Sequence, residues 1–163
     1  MPLPRIVEAI ETPLAGAASL LVSPAALAAR LYVGWVFVHS GMLKLMDWGQ
    51  TVSLFQSEYR VPVLPPMIAA VAGTGGELVF GSLLLLGLFG RASALGLFAV
   101  NAMAVISYRH VLLGDGFEAA LAQHVLWATL IAALFVHGPG RWSVDGFAFG
   151  VDSRMPDTAR APA

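Results

Sequence analysis

The chain has 163 residues, of which 58% are hydrophobic and 12% charged, with a formal net charge of −1. Soluble domains usually carry about 25% charged residues, so this composition indicates an integral membrane protein, and the net charge argues against nucleic-acid binding, which favours a basic surface. The sequence contains no cysteine, which excludes disulfides, thiol redox relays and cysteine-ligated metal or iron–sulfur sites within this chain.

The N-terminal segment, Leu3–Val22, has apolar residues at helical spacing with Arg5, Glu8 and Glu11 between them. This pattern predicts a helix that lies along the membrane surface. A signal peptide is the competing interpretation, and the two acidic residues ahead of the apolar part argue against it. Ser23-Pro24 then suits the start of a new helix, because proline is favoured in the first turn.

Four apolar runs are each close to the roughly 20 residues that a membrane-spanning helix needs. They are residues 25–46, 66–88, 92–108 and 121–138. Gly87–Arg91 leaves room only for a tight turn, so the second and third spans are antiparallel neighbours. Asp47–Val63 mixes aromatic and polar residues, which fits a re-entrant or surface-lying segment.

The predicted fold is therefore all-α: an integral membrane antiparallel four-helix bundle with an N-terminal interfacial helix. Residues 1–24 form the interfacial segment, 25–147 the four-span domain and 148–163 a flexible C-terminal tail. The side with both termini holds six of the nine basic residues. Because cytoplasmic loops carry the excess of Lys and Arg, both termini are predicted to be cytoplasmic.

Glu77 lies in the middle of the second apolar run. A charge at that depth costs a few kcal/mol, so an intramembrane carboxyl is by default a functional-site hypothesis. The helical rise of about 1.5 Å per residue puts Asn101 near the same depth. It puts His39, Lys44, Arg109 and His124 in the half of the membrane away from the termini.

We therefore predict a polar pocket that opens to the outer face and ends at Glu77. The candidate residues, which include two from the segment before the second span, are Glu77, Lys44, His39, Asn101, Arg109, His124, Glu58 and Tyr59. Lys44 or Arg109 could neutralise the carboxylate, and His39 and His124 could exchange protons near neutral pH. Such a pocket suits a quinone head group, a small polar substrate or a proton path.

Each of these residues also has a structural interpretation. Glu77 could be protonated and hydrogen-bonded to Asn101, serving only helix association, and Lys44 could extend to the lipid head groups. No metal site is predicted, because His39, His110 and His124 include no pair with the spacing of helical ligands.

Three features of the spans form a recognisable set. They are Phe37-Val38-His39-Ser40-Gly41-Met42-Leu43-Lys44, Glu77 in the second span, and Leu86-Gly87-Leu88-Phe89-Gly90-Arg91-Ala92 at the turn. Together they resemble the DoxX family of small four-helix membrane proteins. The segments 55–66, 124–128 and 138–145 resemble one branch of that family, and the whole resemblance covers roughly residues 25–147. It implies a multi-pass protein of the bacterial inner membrane. Family members are described as oxidoreductase subunits, some linked to quinone reduction or thiol-stress complexes.

Two functional hypotheses follow, and the sequence leaves open whether the protein is an enzyme. The first is a redox-associated subunit whose outward-facing pocket holds a small molecule, with quinone as the candidate cofactor. The alternative is a non-enzymatic scaffold or accessory for export or maturation of a secreted metal-binding peptide or an envelope enzyme. The implied partners are the lipid bilayer and a membrane or envelope protein. A minimal transporter is least favoured, because one chain shows no inverted repeat, although a homodimer could supply the second half.

Overall fold

The computed structural model describes residues 3–150, which contain six α-helices and no strand. The helices are α1 (Leu3–Met46), α2 (Trp48–Ser57), α3 (Pro66–Leu86), α4 (Gly90–Leu112), α5 (Glu118–His137) and α6 (Val144–Phe149). α1, α3, α4 and α5 are each long and apolar enough to cross a membrane. The predicted all-α fold with four membrane-spanning helices is confirmed. The predicted flexible tail lies, from residue 151 onward, outside the described residues.

α1 is one uninterrupted helix, so the predicted break at Ser23-Pro24 is wrong. Pro13 and Pro24 both lie inside the helix, which is 44 residues long. An interior proline removes one hydrogen bond and costs about 3 kcal/mol, which the many remaining bonds of so long a helix can offset. The surface position of residues 1–24 stays a prediction, as does the orientation of the termini.

Glycines let the spans pack closely in antiparallel order. A Cβ atom added at Gly34 of α1 would lie 2.7 Å from Leu85 Cγ and 3.0 Å from the carbonyl oxygen of Gly81, both on α3. A Cβ at Gly76 of α3 would lie 2.7 Å from a methyl group of Val100 on α4. Small residues at such contacts bring helix backbones together in a bilayer, where packing drives association. The apolar core between the spans includes Val33, Phe37, Leu84, Ala94, Leu97, Ile131 and Leu134.

The end of the bundle that carries the α3–α4 turn, here called the turn end, is fastened by a carboxylate. Gly87 ends α3 with φ 68°, and Phe89 also adopts a left-handed conformation, with φ 51°. The Asp145 carboxylate accepts hydrogen bonds from the backbone N–H groups of Phe89 (3.0 Å) and Gly90 (2.8 Å). Ser143 caps the short helix α6, in which Asp145 lies, by accepting from the N–H of Gly146.

Arg30 is the basic residue buried at the turn end, with 1% of its surface exposed. Its guanidinium donates to the carbonyl oxygens of Leu85 (3.3 Å) and Trp142. It therefore joins α1 to the end of α3 and to the segment before α6. Buried charges need such partners, because an uncompensated charge in an apolar interior is costly.

The opposite end, here called the α2 end, is closed by α2 and the connection that follows it. Asp47 caps α2 by accepting from the N–H of Gln50, and the Thr51 hydroxyl donates to the carbonyl oxygen of Lys44 at 2.8 Å. The N–H of Arg60 donates to the carbonyl oxygen of Ser107 on α4 at 2.9 Å. These bonds hold the segment between α1 and α3 across the bundle.

Candidate functional site

Lys44 and Glu77 form an ion pair between α1 and α3. The Lys44 ammonium donates to both carboxylate oxygens of Glu77, at 2.7 and 2.8 Å, and to the Ser40 hydroxyl at 2.8 Å. The Lys44 and Glu77 side chains are 21% and 11% exposed. Ser40 and Lys44 are four residues apart, so they share one face of α1 and both reach the carboxylate. Lys44 is thus the cation that neutralises Glu77.

A central cavity of about 570 Å³ lies beside this ion pair. Ligand sites commonly have volumes of about 300–1,000 Å³ and apolar walls with a few polar groups, and this cavity matches that description. Its polar and aromatic walls are Phe37, Ser40, Lys44, Phe55, Tyr59, Glu77, Phe80, Ser107, Tyr108, His124 and Trp127, and its remaining walls are mainly aliphatic. The cavity reaches the α2 end through Val61 and Leu64.

Three aromatic rings form one wall of the central cavity at the α2 end. Tyr59 packs edge to face against Phe55 and Tyr108, with centroid separations of 4.8 and 5.2 Å. Burial raises the pKa of the Tyr59 hydroxyl, and the nearby Tyr108, Glu77 and Glu58 raise it further. The hydroxyl of Tyr59 therefore stays protonated well above neutral pH and is a hydrogen-bond donor.

Asn101 and His124 form a second polar pair, between α4 and α5. Asn101 is 2% exposed, and its amide Nδ2 donates to the backbone carbonyl oxygen of His124 at 3.1 Å. The ring nitrogen Nδ1 of His124 lies 2.8 Å from Asn101 Oδ1. The sequence-based depths placed His124 nearer the outer face than Asn101, whereas the structure places them side by side. His124 lines the central cavity, and Asn101 lies behind it.

The structure does not bring the other candidate residues into the central cavity. His39 is exposed and lies beside Trp35, with ring centroids 5.9 Å apart. Arg109 is exposed near the end of α4, and Glu58 is exposed at the C-terminus of α2. None of the three lines the cavity. The eight candidates thus divide into Glu77, Lys44, Tyr59 and His124 in its wall, Asn101 behind it, and these three outside.

Tyr108 and Trp127 are among the cavity residues that the sequence did not predict as part of the site. Tyr108 packs against Tyr59, and Trp127 packs edge to face against both Phe37 and His124. The indole N–H of Trp127 is buried and has no hydrogen-bond partner within residues 3–150. Trp127 follows His124 by three residues in the sequence, which places both on one face of a helix and was the available signal.

A second cavity, of similar volume, lies at the turn end between α1 and α6. Ser19, Ser23, Arg141, Trp142 and Phe147 contribute to its walls. Among residues 3–150, its walls contain no acidic residue that could pair with Arg141. The central cavity, in contrast, combines a partly buried ion pair, a histidine and tyrosine hydroxyls, which makes it the better candidate for a functional site.

A family model described as DoxX matches residues 25–110, which is more than half of the chain. No curated protein and no solved structure matches the chain. The matched range contains Lys44, Glu77, Tyr59 and Asn101, and His124 lies beyond it.

Proposed function

Because the chain belongs to the DoxX family and has four helices able to span a membrane, we propose that it is a redox-associated membrane subunit whose central cavity binds a quinone head group. The observation that carries this proposal is the combination of a cavity of about 570 Å³ with a partly buried Lys44–Glu77 ion pair in its wall. A quinone has a flat ring with polar oxygens and an apolar tail, and this cavity offers surfaces for each.

The walls suit such a ring in shape and polarity. Tyr59, Tyr108 and Trp127 provide aromatic surfaces for packing, and the protonated hydroxyl of Tyr59 can donate to a ring oxygen. The long apolar surface of the spans could accommodate an isoprenoid tail in the bilayer. Because the sequence has no cysteine, any thiol or iron–sulfur group that exchanges electrons with the quinone belongs to a partner protein.

The test measures quinone binding directly and compares a variant whose cavity is filled by a larger side chain with a variant changed outside the cavity. Ala72 lines the cavity, and Ala132 is an exposed residue of α5 outside it. Purified protein in lipid nanodiscs should retain extractable quinone and bind an added short-chain quinone. Ala72→Phe should weaken this binding by at least tenfold, while Ala132→Phe should leave it unchanged. Absence of quinone from the extract together with no binding of added quinone would refute the proposal.

A second candidate function, an accessory that docks a membrane or envelope protein, is favoured by the surface of the α2 end. Met46, Val63 and Leu113 lie outside or at the ends of the spans and are 81%, 100% and 73% exposed. Val63 also has φ 70°, which is unusual for a β-branched residue. If this surface docks a partner, Val63→Asp should abolish a stable complex recovered from membranes without lowering the thermal stability of the protein. A complex that survives Val63→Asp and Leu113→Asp together would count against this function.

A further inference from the structure

The orientation of the Asn101 amide is determined by its two contacts with His124. The backbone carbonyl oxygen of His124 can only accept a hydrogen bond, so the atom of Asn101 that lies 3.1 Å from it must be the NH₂ group. The amide oxygen then faces the His124 ring, 2.8 Å from Nδ1. Because an amide oxygen can only accept, Nδ1 must carry a proton and donate it.

The same contacts determine what His124 presents to the central cavity. In the neutral imidazole one nitrogen carries the proton and the other has a lone pair. With the proton on Nδ1, the lone pair is on Nε2. Nε2 makes no hydrogen bond within residues 3–150. The fully buried polar atoms without a partner are known for these residues, and Nε2 is not among them. It is therefore accessible, on a residue that lines the cavity.

Lys44, although positively charged, has no hydrogen-bond donor left for a ligand. An ammonium group has three N–H donors, and those of Lys44 go to the two carboxylate oxygens of Glu77 and to the Ser40 hydroxyl. The indole N–H of Trp127 is buried against protein atoms. The polar groups that remain open at the ion pair and at His124 are acceptors: the carboxylate oxygens of Glu77 and Nε2 of His124. The Tyr59 hydroxyl, also in the cavity wall, can donate to the ring oxygen of a quinone or of a hydroquinone and so does not distinguish the two.

From this donor–acceptor pattern we infer that the site selects the reduced, hydroxyl-bearing form of its ring ligand, a hydroquinone, over the oxidised quinone. The inference rests on the proposed function. A hydroquinone hydroxyl can donate to His124 Nε2, whereas a quinone carbonyl would place its lone pairs against that of the imidazole. A site built to bond a hydroxyl discriminates strongly against an analogue that cannot donate. Asn101 is then a positioning residue, since it holds His124 in the accepting tautomer.

The tautomer can be measured without any ligand. His39, His110 and His137 are exposed, so replacing each by Gln leaves His124 as the single histidine. The ¹⁵N chemical shifts of its ring should be those of the Nδ1–H tautomer, and Asn101→Leu should abolish the preference. A wild-type ring protonated on Nε2 and not on Nδ1 would overturn the inference whatever the ligand is.

The ligand preference is tested by anaerobic binding of one short-chain ring compound in its quinone and hydroquinone forms. We expect the protein in nanodiscs to bind the hydroquinone at least tenfold more tightly. His124→Phe should remove most of this ratio, and His39→Phe, which changes an exposed histidine, should preserve it. If both forms bind and the ratio is unchanged in His124→Phe, the inference is wrong and the proposed function stands. If neither form binds, the proposed function fails and the inference with it.

Discussion

Replacing Lys44 by Met should destabilise the bundle more than the same replacement of any exposed basic residue. Two unit charges separated by 2.7 Å attract by about 6 kcal/mol at an effective dielectric constant of 20. The cost of removing both charges from water offsets much of that attraction. Removing one partner is different, because it leaves Glu77, with a side chain 11% exposed, without its cation. Unpairing a buried charge costs roughly 3–5 kcal/mol.

The partial exposure of Lys44, 21% for its side chain, places the expected loss at the lower end of that range, at about 3 kcal/mol. This corresponds to a change of roughly 150-fold in the ratio of unfolded to folded protein, since about 1.4 kcal/mol is a factor of ten. The double variant Lys44→Met/Glu77→Gln carries neither charge. It should therefore lose less than the sum of the two single variants, with a coupling free energy of about 2 kcal/mol.

The assay is reversible unfolding in bicelles, followed for the wild type, both single variants and the double variant. Arg109→Met is the matched control, because Arg109 is exposed and lies outside the central cavity; it should change the free energy of unfolding by less than about 0.5 kcal/mol. If Lys44→Met and Glu77→Gln each lower the free energy of unfolding by less than about 0.5 kcal/mol, and if their effects add in the double variant, then the ion pair does not stabilise the protein and the reasoning is refuted.

Three further predictions concern packing, the turn end and the Tyr59 hydroxyl. Gly34→Ala should cost about 1–3 kcal/mol in the same assay because the new methyl group meets Leu85, whereas Gly75→Ala, where nothing lies within 4 Å, should cost nothing measurable; equal effects would contradict the close packing. Asp145→Asn should cost about 2 kcal/mol by weakening two hydrogen bonds to backbone N–H groups, and an unchanged melting temperature would argue that the carboxylate does not hold the turn. The pKa of Tyr59 is raised in the folded state. Protonated Tyr59 therefore contributes its full share to the free energy of unfolding below its ordinary pKa of about 10, and this contribution is lost as the pH rises through the pKa of the folded state. Tyr59→Phe should reduce the fall in unfolding free energy between pH 9 and 11, and an equal fall in both proteins would contradict this.

The spans could be predicted from sequence because a bilayer requires long apolar runs, and their positions follow from composition. The ends of the helices were less predictable. Hydropathy predicts that the third span ends at Tyr108 and that the fourth begins at Leu121. In the structure, α4 continues to Leu112 and α5 begins at Glu118. Polar residues can extend a helix beyond the membrane interior, because water near the membrane surface solvates their side chains. Hydropathy therefore does not mark the residue at which the backbone hydrogen bonds of a helix end.

The composition of the site was predictable only in part, because a helix has several faces. Glu77 stood out as the single carboxyl in its span, and Lys44 as its nearest basic residue along α1. His39 is five residues before Lys44, which turns it to a different face, where it lies beside Trp35. Ser40, four residues before Lys44, shares the face that reaches Glu77. The pairing of Asn101 with His124 depends on the relative height of α4 and α5, which residue spacing within each helix does not determine.

The fastening of the turn end sets an order for the assembly of the protein during synthesis. The N–H of Gly90 is bonded by a carboxylate 55 residues further along the chain, and Arg30 by a carbonyl group 112 residues further along. At translation rates of about 5–20 residues per second, on the order of 10 s pass between the synthesis of Arg30 and that of Trp142. During that interval the cation has entered the growing bundle without its final acceptor. A nascent chain that ends before Asp145 contains all four spans but lacks the carboxylate that bonds the turn, so this step of folding must follow the synthesis of Asp145.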